Sequence, residues 1–166
     1  APKVSVFRAI LARELISKYL SNSNTIFDPF SGFSGRMLGA TILGKTYIGQ
    51  DLNEVHVKES NSIINFLQLK NCSVIKKDIF DSSGVYESLF TCPPYGEKEN
   101  WNNENQKILK SDDWIEVCLE KFNCKEYLFV VDSTEKFKNN IVEIIDNNSH
   151  LGNNKELVIY IKKDSI

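Results

Sequence analysis

Apolar residues along the chain recur at two alternating spacings, one helical and one extended. Over residues 7–19 they lie three and four positions apart, which is typical of one face of an α-helix. The short run 25–27 ends at Asp28-Pro29, which indicates a buried strand that enters a loop. The same patterns predict further helices over 35–43, 55–69, 113–122 and 134–146, and further strands over 46–51, 73–78, 86–92, 126–132 and 157–162.

The alternation of strands and helices predicts the fold class. It is typical of an α/β domain with a mainly parallel sheet and helices on both faces. Residues 147–151 are predicted to form a strand before the closing one, which brings the sheet to seven strands. The chain length suits one domain, and we expect residues 1–166 to form it. The polar segment 97–112, rich in Asn, Glu and Lys, is predicted to be a loop or lid.

Composition and charge exclude several classes of protein. The chain is 42% apolar and 25% charged, as in ordinary globular domains, and no apolar run approaches the roughly 20 residues that span a bilayer. The first residues carry no signal-peptide pattern, so we expect a cytoplasmic protein without membrane contact. The net charge of −2 lacks the basic excess of dedicated nucleic-acid binders, so this chain alone is expected to hold a polynucleotide weakly.

The cysteines and histidines do not form a recognisable metal or disulfide pattern. The four cysteines show no CxxC spacing, and His56 and His150 lie far apart in sequence, so we expect no metal site. Cys72 and Cys118 are expected to be small core residues. Cys92 differs from them because two prolines follow it directly.

The first predicted strand leads into a glycine-containing loop with candidate chemistry. The loop reads Asp28-Pro29-Phe30-Ser31-Gly32-Phe33-Ser34-Gly35. Gly32 and Gly35 allow a close approach of the backbone to a ligand and a sharp turn into a helix. The spacing is shorter than the dinucleotide fingerprint and lacks the Lys-Ser/Thr of a P-loop. The carboxylate of Asp28 would repel a pyrophosphate but suits a cationic ligand, such as the methionine part of S-adenosylmethionine.

Two more carboxylates end the next two predicted strands. Asp51 lies where an acid can accept both hydroxyls of a ribose. Asp78 can accept from an adenine amino group while its apolar neighbours, Ile79 and Phe80, cover the ring. In an open α/β sheet, ligands bind outside the carboxyl ends of the strands. Together the three acids predict a site for an adenosine ligand with a cationic tail.

The fourth predicted strand ends at Thr91-Cys92-Pro93-Pro94-Tyr95. Two prolines end the hydrogen-bond ladder of the sheet and fix the backbone, so this turn can direct a carbonyl and a side chain into a cleft. Such acceptors suit the exocyclic amino group of a nucleobase, which is a poor nucleophile because its lone pair is delocalised into the ring. Tyr95 could stack on a base removed from its helix.

These two motifs resemble those of the S-adenosylmethionine-dependent amino-methyltransferases of DNA, the adenine-N6 and cytosine-N4 group. Residues 28–35 look like their cofactor loop, and residues 91–95 look like their (Asp/Asn/Ser)-Pro-Pro-(Tyr/Phe) catalytic loop. The resemblance is closest to phage-type or plasmid-type DNA methylases, and runs from about residue 4 to residue 162. It implies a Rossmann-like class I methyltransferase fold with an antiparallel last strand. It also implies that the protein binds and methylates DNA and belongs to a restriction-modification system.

The resemblance also implies roles for single residues. The catalytic loop would comprise Cys92, Pro93, Pro94 and Tyr95. The cofactor-binding residues would be Phe7, Asp28, Pro29, Phe30, Gly32, Gly35, Asp51, Leu52, Asp78, Ile79 and Thr91.

The chain departs from this family in two respects. Cys92 stands where the family has Asp, Asn or Ser, and a thiol is a weak hydrogen-bond acceptor. No segment is long enough for a separate target-recognition domain, which leaves room for a recognition subunit or a missing domain. Only residues 97–112, with Trp101, Lys98, Lys107 and Lys110, are expected to reach toward a substrate.

Three alternatives remain at this stage. An RNA or tRNA guanine-N2 methyltransferase is the nearest, because Pro-Pro-Tyr-Gly also resembles that group. A catalytically weak remnant or partner with a methyltransferase fold is consistent with Cys92. A small-molecule methyltransferase is less favoured because it would not need residues 93–95. The expected partner is nucleic acid, with DNA favoured over RNA.

Overall fold

A computed structural model describes residues 8–94, 109–149 and 152–163, with the backbone alone at 147–149 and 152–154. The helices of these residues are α1 (Ala9–Tyr19), α2 (Gly35–Ile42), α3 (Glu54–Leu67) and α4 (Ser111–Lys121). The strands are β1 (Thr25–Asp28), β2 (Thr46–Asp51), β3 (Cys72–Lys76), β4 (Gly84–Thr91), β5 (Phe122–Val131), β6 (Ile141–Ser149) and β7 (Gly152–Lys162).

The strands form one seven-stranded sheet in the order β3-β2-β1-β4-β5-β7-β6. Strands β1 to β5 run parallel, whereas β7 runs antiparallel to both β5 and β6. The chain therefore moves outward from β1 to β3, returns to β4 beside β1, and continues in the opposite direction. The strand order reverses between β1 and β4, and ligands of open α/β sheets bind at the carboxyl ends of such strands.

Apolar side chains alternate along the strands and cover both faces of the sheet. On β5, Leu128 and Val130 belong to one core, while Tyr127, Phe129 and Val131 belong to the other. Buried side chains from α1 and α2 pack against the first core, together with partly buried ones from α3. Ile115 and Cys118 of α4 pack into the second. The predicted α/β architecture, a mainly parallel seven-stranded sheet with helices on both faces, is confirmed.

The helix predicted over 134–146 is wrong. In its place lie a short 3-10 helix, Lys138–Asn140, and the first part of β6. Ile141, Val142, Ile144 and Ile145 are β-branched and favour an extended chain. Ile141, Ile144 and Ile145 pair with β7, and Val142 lies at a register shift between the two strands. The antiparallel ladder also begins earlier than predicted, because β7 starts at Gly152 rather than at 157.

The polar loop also ends earlier along the chain than predicted. Residues 111 and 112 lie in α4 rather than in the loop, since the backbone amide of Lys110 donates to Asp113 and begins the helix there. Most of the predicted loop, including Trp101, lies outside the described residues.

Close packing of α1 on α2 depends on Gly39. A Cβ at this position would lie 2.6 Å from the Ala12 Cβ, 2.8 Å from the Arg13 backbone nitrogen and 2.9 Å from the Ala9 carbonyl oxygen. Two of these neighbours are backbone atoms, which cannot rotate away. The glycine therefore sets the separation of the two helices.

We expect Gly39→Ala to lower the free energy of unfolding by about 1–3 kcal/mol, because the helices must separate. Helix propensity alone predicts the opposite sign, a gain of about 1 kcal/mol. Urea unfolding checks this, with Ser17→Ala on the exposed side of α1 as a control that changes stability by less than about 0.5 kcal/mol. A variant as stable as the wild type would contradict the packing.

Candidate active site

The carboxylate of Asp28, at the end of β1, lies at the centre of the site and is fully buried. One oxygen accepts from the Arg36 Nε and the Tyr47 hydroxyl, each at 2.7 Å. The other accepts from the Thr91 hydroxyl at 2.6 Å and from the Phe30 backbone amide at 3.2 Å. These donors come from four different parts of the chain, so one carboxylate ties β1, its loop, α2, β2 and β4 together.

Arg36, in the first turn of α2, supplies the compensating charge. It is 4% exposed and also donates to the Phe30 carbonyl. Burial lowers the pKa of Arg36, but the charge of Asp28, the interactions with Cys92 and Tyr47 and the hydrogen bond to Asp28 together outweigh it, so the pKa lies above its usual value. Burial first, and then the charge of Asp28, raise the pKa of Tyr47 well above its usual value. Arg36 stays charged and Tyr47 stays a hydrogen-bond donor.

The loop after β1 has two residues in the left-handed backbone region, Gly32 at φ 54° and Ser34 at φ 72°. A serine in this region is strained, and its hydroxyl lies 2.6 Å from that of Ser60 on α3. The Ser31 amide donates to the Gln50 carbonyl at 2.9 Å, which holds the loop against β2. Pro29 and Gly35 are buried at either end of this turn.

Gly49 on β2 makes room for both the loop and Tyr47. A Cβ there would lie 2.7 Å from a ring carbon of Tyr47 and 3.0 Å from the Cβ of Ser31. Any larger residue would displace the Tyr47 hydroxyl from Asp28 or the loop from β2. The requirement for glycine at this position is therefore steric.

Asp51, at the end of β2, also holds the loop after β1 in place. Its oxygens accept from the backbone amides of Gly32 at 2.9 Å and Asn53 at 2.8 Å, and the His56 Nδ1 lies 3.4 Å away. Burial raises the pKa of Asp51, but the interaction with His56 and the hydrogen bonds from the Asn53 and Gly32 amides outweigh it, so the pKa lies below its usual value. A carboxylate has about four acceptor positions, and the two amides fill two of them, which leaves two for the hydroxyls of a ribose.

The apolar surface beside these acids comes from residues that differ in part from those predicted. Leu52 is 45% exposed next to Asp51, as an adenine-covering side chain would need to be. The carboxylate of Asp78 accepts from the Phe80 amide at 2.9 Å. The Ile79 side chain lies in the core at 5% exposure, whereas Phe80 is 44% exposed. Phe80 is thus the side chain placed to cover a ring, and Ile79 could contribute only its backbone.

Four side chains of the site were missed in the sequence. Tyr47 and Arg36 donate hydrogen bonds to Asp28, and His56 lies beside Asp51. Of these three, only Arg36 adjoins a predicted motif. Trp114 on α4 contacts both Phe30 and Phe80, with ring centroids 5.1 and 5.8 Å apart. No local pattern identifies Trp114, because its neighbours are brought together by the fold.

The candidate catalytic segment begins directly beside Asp28. Thr91 is the last residue of β4 and is fully buried. After it, Cys92 is half-buried, Pro93 is buried and Pro94 is half-buried. Tyr95 and Phe7, both predicted to belong to the site, lie outside the described residues, as does the loop up to residue 108.

Within the described residues there is no group of three or more His, Cys, Asp or Glu side chains that could hold a metal ion. No helix in the same part of the chain is long and apolar enough to cross a membrane. All four cysteines are free of disulfide bonds.

The chain has the Rossmann-like fold of class I methyltransferases, as comparison with solved structures shows. It is similar to a putative RNA methyltransferase from Pyrococcus horikoshii, with a TM-score of 0.70 and 12% identity over 93% of this chain and 82% of that one. It is also similar to the magnesium protoporphyrin IX methyltransferase of Synechocystis PCC 6803 with bound S-adenosylmethionine, with a TM-score of 0.68 and 7% identity over 94% of this chain and 79% of that one.

A third similar structure is the tRNA (uracil-54, C5)-methyltransferase of Pyrococcus abyssi in complex with S-adenosyl-L-homocysteine. The TM-score is 0.65, and 15% identity extends over 91% of this chain and 37% of that one. No protein-family model and no curated protein matches at the level of sequence.

Removing the charge at the centre of the site should destabilise the fold. In Asp28→Asn the buried Arg36 loses its counter-charge, and we expect the free energy of unfolding to fall by about 3–5 kcal/mol. Thr91→Val, which removes one hydrogen bond but no charge, should cost about 1–2 kcal/mol. Urea unfolding of both variants measures this difference. Equal effects of the two substitutions would show that the charge pair is not the dominant interaction.

Asp51 should make the stability of the protein depend on pH. Because its pKa is lower in the folded state than the unfolded value of about 3.9, its contribution is present above that value and is lost as the pH falls through the folded pKa. We expect Asp51→Asn to cost about 1–3 kcal/mol at neutral pH, and this difference from the wild type should shrink below about pH 4. Chemical unfolding at a series of pH values measures it, and a constant difference would contradict the assigned hydrogen bonds.

Proposed function

We propose that this protein binds S-adenosylmethionine and transfers its methyl group to an exocyclic amino nitrogen of a nucleobase, adenine N6 or cytosine N4 in DNA being favoured. One observation carries most of the proposal. The hydroxyl of Thr91, directly before Cys92-Pro93-Pro94, donates to Asp28 at the start of the glycine loop, 2.6 Å away. A hydrogen bond thus joins the segment proposed for the target amino group to the loop proposed for the methyl donor, and direct transfer requires the two to be adjacent.

The residues around Asp51 suit an adenosine ligand. The carboxylate keeps partial exposure, and two exposed apolar side chains follow the ends of the same pair of neighbouring strands, Leu52 after β2 and Phe80 after β3. The hydroxyl of Ser31, within the loop, is buried and has no hydrogen-bond partner among the described residues. An unsatisfied polar group is costly, and a ligand that draws the loop into a new position would give it a partner. When bound, the cofactor supplies an activated methyl group.

The segment after β4 supplies the acceptors that an amino nitrogen needs. The carbonyl of Pro93 and the side chain of Cys92 would each accept a hydrogen of the amino group, which frees its lone pair for attack. A thiol accepts weakly, so the carbonyl would bear most of this role. With the cofactor bound, the new N–C bond would form as the S–C bond of the sulfonium breaks, which would leave S-adenosylhomocysteine as a neutral thioether, and the displaced proton would leave the nitrogen for solvent. Tyr95 would stack on the target base.

DNA and RNA are the two candidate classes of nucleic acid. DNA is favoured by the resemblance of residues 28–35 and 91–95 to the amino-methyltransferases of DNA. The alternative is an amino group in RNA, such as guanine N2. Structures similar to this chain include a putative RNA methyltransferase and a tRNA methyltransferase, which supports RNA as the class of nucleic acid, although the second is named for a ring carbon, uracil C5, and not for an amino group.

The proposal also covers the domain organisation, the location and the partners of the protein. Residues 1–166 would act as one catalytic domain in the cytoplasm, without a metal ion. A separate recognition subunit or domain would strengthen its hold on nucleic acid, since the net charge of −2 gives little attraction to phosphates.

Calorimetry should detect binding of S-adenosylmethionine to the wild type, and Asp51→Ala should weaken it by at least about tenfold, which corresponds to 1.4 kcal/mol. Glu59→Ala, an exposed carboxylate on α3, is the matched control and should bind as the wild type does. A wild-type chain that binds no S-adenosylmethionine would show the proposal to be wrong.

Transfer of a labelled methyl group to unmethylated DNA, with RNA in parallel, tests the substrate class. We expect label in the amino-methylated nucleosides of DNA after digestion. Label in RNA alone would replace DNA by the RNA alternative, and cofactor binding without any transfer would favour a non-catalytic partner.

A further inference from the structure

Helices α2 and α3 expose a group of apolar side chains that we name the α2–α3 patch. On α3, Ile63, Phe66 and Leu67 recur at helical spacing, and on α2, Leu38 and Ile42 lie one turn apart. Phe66 is 85% exposed, Ile42 58% and Leu67 50%. Single exposed apolar residues are normal on a protein surface, but a contiguous group of them marks an interaction site.

The patch has both a projecting side chain and a recess. Four of its members, Leu38, Ile63, Phe66 and Leu67, line one open depression of about 660 Å³. Leu38 and Ile63 are half-buried there, whereas the ring of Phe66 is almost fully exposed. A surface that packs against a copy of itself about a two-fold axis must be self-complementary. A protruding ring beside an apolar recess meets that requirement.

The patch itself contains no charge. Residues 37–44 and 60–69 include no charged side chain, and Arg36, which precedes them on α2, is buried against Asp28. Depletion of charge around an aromatic side chain is typical of the core of a protein interface, and interfaces between identical subunits are more apolar than others. A nucleic acid or an anionic membrane would be attracted by basic residues. The uncharged patch therefore favours a second copy of this chain.

Charges lie beyond the two ends of the patch, and they have opposite sign. The exposed Lys70 follows the C-terminal end of α3 and lines a small depression together with Lys45. Toward the N-terminal end, Lys58 pairs with Glu54 at 3.5 Å, which leaves the exposed Glu59 as the net charge there. The surface along α3 thus changes from negative to positive across the patch.

An antiparallel pair of α3 helices satisfies the apolar and the charged parts in one register. If Ile63 lies opposite Phe66 of the second copy, the two-fold axis also places Phe66 opposite the second copy's Ile63. Glu59 precedes Ile63 by four residues, and Lys70 follows Phe66 by four. Each Glu59 then comes to the end of the other helix that carries Lys70. A parallel pair would instead bring like charges together.

We propose that two copies of this chain form a dimer through the α2–α3 patch, with their α3 helices antiparallel and Phe66 of each copy in the depression of the other. The candidate active site lies at the other end of α3, beside Asp51 and His56, so it stays open in the dimer. The inference does not depend on the proposed function. Because two helices per copy form a small interface, we expect a dissociation constant of about 1–100 μM.

Sedimentation equilibrium of the full chain tests the proposal, between about 1 and 500 μM, a range that brackets the expected dissociation constant. The variants are Phe66→Ala, Glu59→Lys, Lys70→Glu, and the double charge reversal that combines the last two. The matched control is Val85→Ala, because Val85 is an apolar residue outside the patch with 79% exposure. Circular dichroism checks the fold of each variant, and exposed side chains such as these change stability little.

We expect Phe66→Ala to weaken the dimer at least about tenfold, which corresponds to 1.4 kcal/mol, since aromatic side chains at the centre of an interface carry much of its binding energy. Each single charge reversal should weaken the dimer at low salt, because it places like charges together at both ends of the pair. The double reversal should restore the wild-type dissociation constant, and the Val85→Ala control should leave it unchanged.

A wild type that stays monomeric over the whole concentration range would overturn the inference, since the patch would then have another occupant or none. A dimer that Phe66→Ala leaves intact would overturn it too. A double reversal no tighter than the single ones would exclude the antiparallel arrangement. Binding of S-adenosylmethionine by Phe66→Ala should match the wild type, and a wild type that forms the dimer but binds no cofactor would count against the proposed function alone.

Discussion

The site is built around a buried charge pair, the carboxylate of Asp28 and the guanidinium of Arg36, 2.7 Å apart. Two charges taken out of water are costly unless their remaining hydrogen-bonding positions are filled. Here Tyr47, Thr91 and the Phe30 amide fill those of the carboxylate, and the Phe30 carbonyl accepts from the guanidinium. Each partner comes from a different part of the chain. The requirement to satisfy one buried carboxylate thus fixes the loop after β1 relative to the end of β4.

This arrangement changes the role that the sequence suggests for Asp28. An acid at the start of a glycine loop is expected to attract a cationic ligand directly. In the structure its charge is balanced within the protein, so its contribution to any ligand is the position of the loop. Asp51 differs, because it keeps partial exposure beside Leu52. Of the two acids, Asp51 is exposed enough to contact a ligand, whereas Asp28 fixes the position of the loop that forms the site.

Local patterns predicted the parallel half of the fold well, for a physical reason. Residues 46–51, for example, form a buried strand that contains a glycine and ends in an acid. Both features can be recognised from this segment of the sequence alone, without knowledge of the strands beside it. Residues 141–145 were misassigned because edge strands pack on one side only, so their apolar spacing can imitate that of a helix. Arg36, Tyr47, His56 and Trp114 were missed because their roles exist only through contacts across the sheet. The steric need for Gly49 has the same origin, since Tyr47 and Ser31 meet there only in the folded chain.

The central claim is that the loop fixed by Asp28 holds a methyl donor against the segment that follows β4. A crystal structure with S-adenosyl-L-homocysteine and a short DNA duplex would test it most directly. We expect the ribose at Asp51, the adenine between Leu52 and Phe80, and the target amino nitrogen within hydrogen-bond distance of the Pro93 carbonyl, about 3 Å. A ligand bound elsewhere, or a target base held away from residues 92–94, would contradict it.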